Sequence, residues 1–271
     1  MAEPDGERRM TQKTVHTMKR MMFAAALLLG LGLTMVSCDS RQQPVSENPT
    51  TAAIVEEAVP QIEEEAVDTL LWTYDDAEDT VMIGAYVFAS QPVPEEVELR
   101  MRDHSFPANA KISMDQLRYL TLPYYDFEGN IQKGEMVCNK AIAHDLLCIF
   151  KTLFSQAYPI YSMRLVDDFD ADDEASMQAN NTSCFNYRYI KGTRILSRHA
   201  YGMAVDINPL QNPCIRGKRI QPATAEEFVD RSQDFPHKID KDDFCKKAFT
   251  SYGFRWGGNW RRMKDYQHFE K

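Results

Sequence analysis

Three side chains in the C-terminal third could hold a metal ion. His199 and Asp206 stand seven positions apart within SRHAYGMAVDINP (residues 197–209), and His268 lies in DYQHFE (residues 265–270). Two imidazoles and a carboxylate make the donor set of a catalytic metal site, which keeps one position open for water. Asp265, three residues before His268, is an acid that could take a proton from such a water. Glu270 competes for that role, because residues 268 and 270 share a strand face. A histidine and an aspartate at this spacing also occur on ordinary turns, so the pair alone does not decide. His104, His144 and His237 are read as structural or exposed side chains.

Local structure must bring these groups together. Gly202 lets the chain turn tightly after His199, and residues 204–207 form a short strand with Ala204, Asp206 and Asn208 on one face. His268 belongs to a separate last strand, residues 266–269, so the site closes only if both strands join one sheet. Apolar residues at helical spacing (Ile142, Leu146, Leu147, Phe150, Leu153, Phe154) predict a helix over 140–157, stopped by Pro159. Residues 120–127 and 135–139 flank Glu128-Gly129-Asn130, a hairpin turn. Residues 81–89 form an apolar run, residues 111–117 open a helix, and residues 160–166 read as a strand. Residues 167–181 read as an acidic loop, and residues 244–252 as a helix ended by Gly253. This irregular alternation is that of an α+β protein.

With 271 residues, 44% of them hydrophobic, the chain can bury one sizeable core. A net charge of −9 excludes nucleic acid as a partner, since phosphate binding needs a basic face. At the N-terminus, Met18-Lys19-Arg20 is followed by an apolar run over 23–35 and by Met35-Val36-Ser37-Cys38. This pattern resembles a bacterial export signal with a lipobox, in which Cys38 is lipidated. Residues 1–38 are thus expected to be a signal peptide, 39–68 an acidic tether and 69–271 the folded domain. Six cysteines without a CxxC pair argue against a thiolate zinc knuckle. The five beyond Cys38 are either buried thiols or, in an exported chain, partners in disulfides.

The pattern Ser197-x-His199-x-x-Gly202-x-Ala204-x-Asp206, followed by Asp265-x-x-His268, resembles the two signatures of the zinc D-alanyl-D-alanine carboxypeptidase family, which includes L-alanyl-D-glutamate endopeptidases and phage endolysins. Many members carry Glu where this chain has Asp265. Trp256-Gly-Gly-Asn-Trp260, residues 206–213 and residues 180–188 resemble the endopeptidase branch. The resemblance runs from about residue 117 to the C-terminus. It implies a small mixed domain with a central antiparallel sheet, helices packed on that sheet, and one Zn²⁺ held by His199, Asp206 and His268. It implies Asp265 as the base and an arginine that stabilises the oxyanion, with Arg188 the first choice and Arg164 the second. Asn181, Ser183 and Ser197 would contact substrate. The implied substrates are peptidoglycan stem peptides, cut beside a D-residue by carboxypeptidase or endopeptidase action. The implied setting is the cell envelope, at the periplasmic or extracellular face, with a monomer held to the membrane through Cys38. The competing reading is an inactive zinc-containing binding module.

Overall fold

A computed structural model describes residues 79–271. The expected signal segment, Cys38, the tether and the expected domain start near residue 69 lie outside the described residues. The chain is mixed α/β with mainly antiparallel sheets. Its strands and helices, in order, are β1 (Asp79–Ile83), β2 (Tyr86–Pro92), α1 (Glu95–Met101), β3 (Leu117–Tyr125), β4 (Ile131–Asn139), α2 (Lys140–Ser155), β5 (Ser162–Met163), α3 (Asp173–Gln178), β6 (Asn181–Thr182), β7 (Ala204–Asp206), β8 (Cys214–Arg216), β9 (Arg219–Gln221), α4 (Phe244–Ser251), β10 (Arg255–Trp256), β11 (Lys264–Asp265) and β12 (His268–Glu270). The strands do not gather into one central sheet. They form a meander β1-β2-β3-β4, two three-stranded sheets (β10-β12-β7 and β11-β8-β9) and a parallel pair β5-β6.

The meander follows from alternation. In β3, Leu120, Leu122 and Tyr124 turn inward at every second position. The turn into β4 is set by Asp126, whose carboxylate accepts hydrogen bonds from the backbone N–H of Glu128 and Asn130 at 3.0 and 2.8 Å. Helix α2 begins where the Asn139 side chain accepts the Ala141 N–H at 3.0 Å. Its buried face (Ile142, Leu146, Leu147, Phe150, Leu153, Phe154) covers the meander. On its other flank Phe150 meets Phe249 of α4 edge-on at 6.2 Å, and Phe249 stacks on Phe269 of β12 at 4.4 Å. Phe269 sits between His268 and Glu270, so the core reaches the backbone that carries the third candidate ligand. Truncating a fully buried ring such as Phe249 costs about 3–5 kcal/mol.

Four segments differ from their sequence expectation. Residues 111–117 open no α-helix. Ser113 and Gln116 close a capping box around a single 3-10 turn, Met114–Gln116, and the period-two pattern of β3 takes over at Leu117. Residues 160–166 contain only the two-residue β5, because Arg164 N–H donates to the Asn181 side chain at 2.9 Å instead of to a strand carbonyl. The acidic loop 167–181 holds α3, which is capped by Asp172 accepting from Ala175 N–H at 3.0 Å. That helix buries only Ser176 and Met177, too little for an apolar period to reveal it. The apolar run 81–89 is split into β1 and β2 by a turn at Gly84 with φ +57°.

Gly202 is required by both backbone and packing. Its φ is +64°, and a Cβ there would lie 2.6 Å from the Asn139 backbone nitrogen at the start of α2. Gly202 O accepts that same N–H at 2.9 Å, and Tyr201 O accepts from the Asn139 side-chain amide at 3.0 Å. The turn after His199 is thereby pinned to the helix cap. Gly202→Ala is expected to lower stability by at least about 2 kcal/mol in urea unfolding, since left-handed strain adds to the clash. An unchanged midpoint would show that the turn is not held against α2.

Candidate metal centre

His199 lies in a 3-10 turn, Arg198–Tyr201, opened by Ser197, whose hydroxyl accepts the His199 N–H at 3.3 Å. Its Nδ1–H donates to the Cys184 carbonyl at 2.6 Å, which directs Nε2 inward. Asp206 ends β7 and pairs directly across the sheet with His268 of β12. On its other side Asp206 bonds through its backbone to Ser183, with N–H···O distances of 2.9 and 3.1 Å. His268 donates Nε2–H to Glu270 at 3.3 Å, which directs Nδ1 inward.

The inward atoms converge. His268 Nδ1 lies 2.9 Å from Asp206 Oδ1, and His199 Nε2 lies 3.2 Å from Asp206 Oδ2 and 3.2 Å from His268 Nδ1. One donor atom from each of the three residues lies within 4.8 Å of the others, and all three side chains are buried. Such a buried cluster of lone pairs, with each imidazole anchored by its outer nitrogen, fits a divalent cation. The sequence reading is therefore realised as a group that can hold a metal.

Electrostatics within the cluster are strong. Burial opposes charge on Asp206, but the two imidazoles outweigh it and hold the carboxylate well below its ordinary range. Burial also opposes charge on His268, and hydrogen bonds to Asp206 and Glu270 outweigh it, raising His268 to about 10. Asp265 differs: burial pushes it up to about 6, and its Oδ1 is shielded without a hydrogen-bond partner. Its position is fixed by a close packing against Gly257, where a Cβ would lie 2.6 Å from Asp265 O and 3.3 Å from His268 Cβ. Glu270 is engaged on both sides, by His268 and by Arg255 at 2.7 Å.

These groups border a cavity of about 600 Å³. Its floor holds His199, Asp206, Asp265 and His268; Trp260 leans on the His268 ring at 5.2 Å. Arg188 lines it too, paired with Asp173 at 2.8 Å and with its Nε buried and unpartnered. Ser197 is also on the wall. Two expected substrate residues are not brought to the cavity. Asn181 spends its amide on Ser162, Ser176 and both backbone groups of Arg164, and Ser183 is engaged through its backbone with Asp206. Arg164 pairs with Asp168 at 2.8 Å beneath the Phe169 ring, away from the cavity wall. His237 stacks on Phe127 with ring centroids 3.5 Å apart, and His144 pairs with Asp79 at 2.5 Å. The cysteines among the described residues are all free thiols. Sequence reasoning missed Asp173, hidden in a stretch read as loop, and the cavity-lining Arg216 and Arg219, whose only signal was the RGKR run at 216–219.

In the metal-free protein the His268 proton stabilises the fold. That contribution is complete below the ordinary imidazole value of 6.5 and is lost as pH rises through about 10. Metal uptake near neutral pH must displace it, releasing about one proton per ion. Titration calorimetry with Zn²⁺ in buffers of differing protonation enthalpy is expected to read this release; none would mean that His268 keeps its proton and is not a ligand.

No curated protein and no solved structure matches the chain. Residues 191–271, the segment that carries His199, Asp206, Asp265 and His268, match the model of the D-alanyl-D-alanine carboxypeptidase family, the family that its two motifs resemble.

Proposed function

We propose that this protein is a zinc metallopeptidase that hydrolyses peptide bonds in peptidoglycan stem peptides, beside a D-residue. The observation that carries the proposal is the buried convergence of His199, Asp206 and His268 on a cavity floor that also presents Asp265. The family match over residues 191–271 supports peptidase chemistry of this kind. His199 Nε2, an Asp206 carboxylate oxygen and His268 Nδ1 would hold the ion. Bound zinc supplies Lewis acidity, polarising the scissile carbonyl and acidifying water at the site.

The chain's own groups do the rest. Asp265, which burial makes more basic than an ordinary carboxylate, would accept a proton from attacking water and return it to the leaving amine. Glu270 serves differently: with its carboxylate on His268 Nε2–H, it orients a ligand. Arg188 offers a guanidinium at the wall, held by Asp173, for the oxyanion or a substrate carboxylate. Ser197 fixes the turn that carries His199. In the same proposal Cys38 carries a lipid, the protein works as a monomer at the cell envelope, and stem peptides are its partners.

An inactive zinc-containing binding module is the second reading, favoured by the absence of Asn181 and Ser183 from the cavity lining. Digestion of purified muropeptides, with and without a chelator and read by mass spectrometry, separates the two. Chelator-sensitive fragments are expected, and their masses name the bond. Asp265→Ala is expected to keep one zinc per chain and lose about 10²–10⁴-fold in turnover. Full activity in that variant would remove Asp265 from the base role.

A further inference from the structure

The cavity has a second chemical feature outside the metal cluster. Strands β8 and β9 form a hairpin whose tip reads Arg216-Gly217-Lys218-Arg219, with Gly217 at φ +61°. Arg216 and Arg219 are a directly opposed cross-strand pair. Like charges in that position repel and destabilise a hairpin. Both line the cavity, both are exposed, and neither side chain makes an ion pair or hydrogen bond among the described residues. Three acids on the same cavity have other partners: Asp173 pairs with Arg188, Glu174 accepts the Ala223 N–H at 2.6 Å, and Asp172 caps the start of α3. Two guanidiniums thus line the cavity without an ion-pair partner, in a protein of net charge −9.

Register fixes their distance from the chemistry. In the sheet β11-β8-β9, Asp265 pairs with Cys214, and Cys214 pairs with Gln221. Arg216 is two residues further along β8 on the same face, with Arg219 beside it. Two strand residues span about 7 Å. An extended substrate advances about 3.3–3.6 Å per residue. The arginines therefore meet a group about two residues away from the bond at Asp265, not the reacting carbonyl itself. Tyr189, Ile190 and Ile195 are exposed apolar residues that also line the cavity.

We infer that Arg216 and Arg219 form an anion subsite that takes a free carboxylate of a peptide substrate about two residues from the scissile bond. The inference rests on the peptidase reading and adds the substrate's charge to it. A planar carboxylate accepts paired N–H bonds from a guanidinium, and the second arginine relieves its repulsion with the first by sharing the anion.

The test uses the zinc-loaded protein and two synthetic stem pentapeptides, one with free carboxylates and one with the same carboxylates amidated. Wild type is expected to prefer the acid form in kcat/KM. In R216Q/R219Q the acid-to-amide preference is expected to fall about 10–100-fold, the range of a lost charged hydrogen bond. R216K/R219K should restore part of it, and Lys247→Gln, an exposed change on α4, should leave the preference unchanged. An equal preference in wild type and R216Q/R219Q, with both peptides cleaved, overturns the subsite while the peptidase stands. If neither peptide is cleaved, the peptidase reading fails instead, and calorimetric binding of the same two peptides decides the subsite. Tighter binding of the acid form, lost in R216Q/R219Q, supports it; equal binding of both forms overturns it.

Discussion

The pairing of β7 with β12 is the constraint on which the rest depends. It sets Asp206 opposite His268, and no shift of one residue is tolerable, because strand alternation would turn either candidate ligand to the other face. Both strands are only three residues long. Their register is therefore secured from outside the ladder. Ser183 extends it on the free side of β7, while Phe269 anchors β12 in the stack that runs through Phe249 to Phe150. The face that carries the candidate metal ligands is polar and buried, and the opposite face of the same strand is core. One short strand thus joins the two energetic regimes of the protein.

The second layer around the cluster divides its work. Cys184 contributes only a carbonyl, yet that carbonyl chooses the tautomer of His199. Glu270 makes the corresponding choice for His268, and its bond to Arg255 leaves it poorly placed to accept a proton from water. Asp265 lacks such partners on one oxygen and sits where burial raises it. Two acids close in sequence thereby acquire different properties from their surroundings, not from their chemical type.

Much of this was legible in sequence, for identifiable reasons. His199, Asp206 and His268 could be read as a group because rare side chains at fixed spacing carry chemistry independently of fold. Helix α2 was legible because six apolar residues keep a strict period, and the β3–β4 turn because Asp126 and Gly129 punctuate it. What stayed hidden depended on long-range partners. Asn181 looked available to substrate, but four hydrogen bonds with Ser162, Arg164 and Ser176 consume its amide. Helix α3 escaped because caps and acids, not a buried stripe, define it. The division of strands into several sheets was beyond reach, since pairing partners leave no mark on either strand alone.

The matched family segment begins at residue 191, but several things its candidate ligands need come from before that point. The carbonyl that orients His199 belongs to Cys184, the backbone beside Asp206 to Ser183, and the cap that holds Gly202 to Asn139. Arg188 and Asp173, on one wall of the cavity, also precede it. The stretch that can be recognised and the stretch that positions the cluster are thus different lengths of chain. Cut at the border of recognition, the C-terminal piece would keep every donor atom and lose the scaffold that aims them.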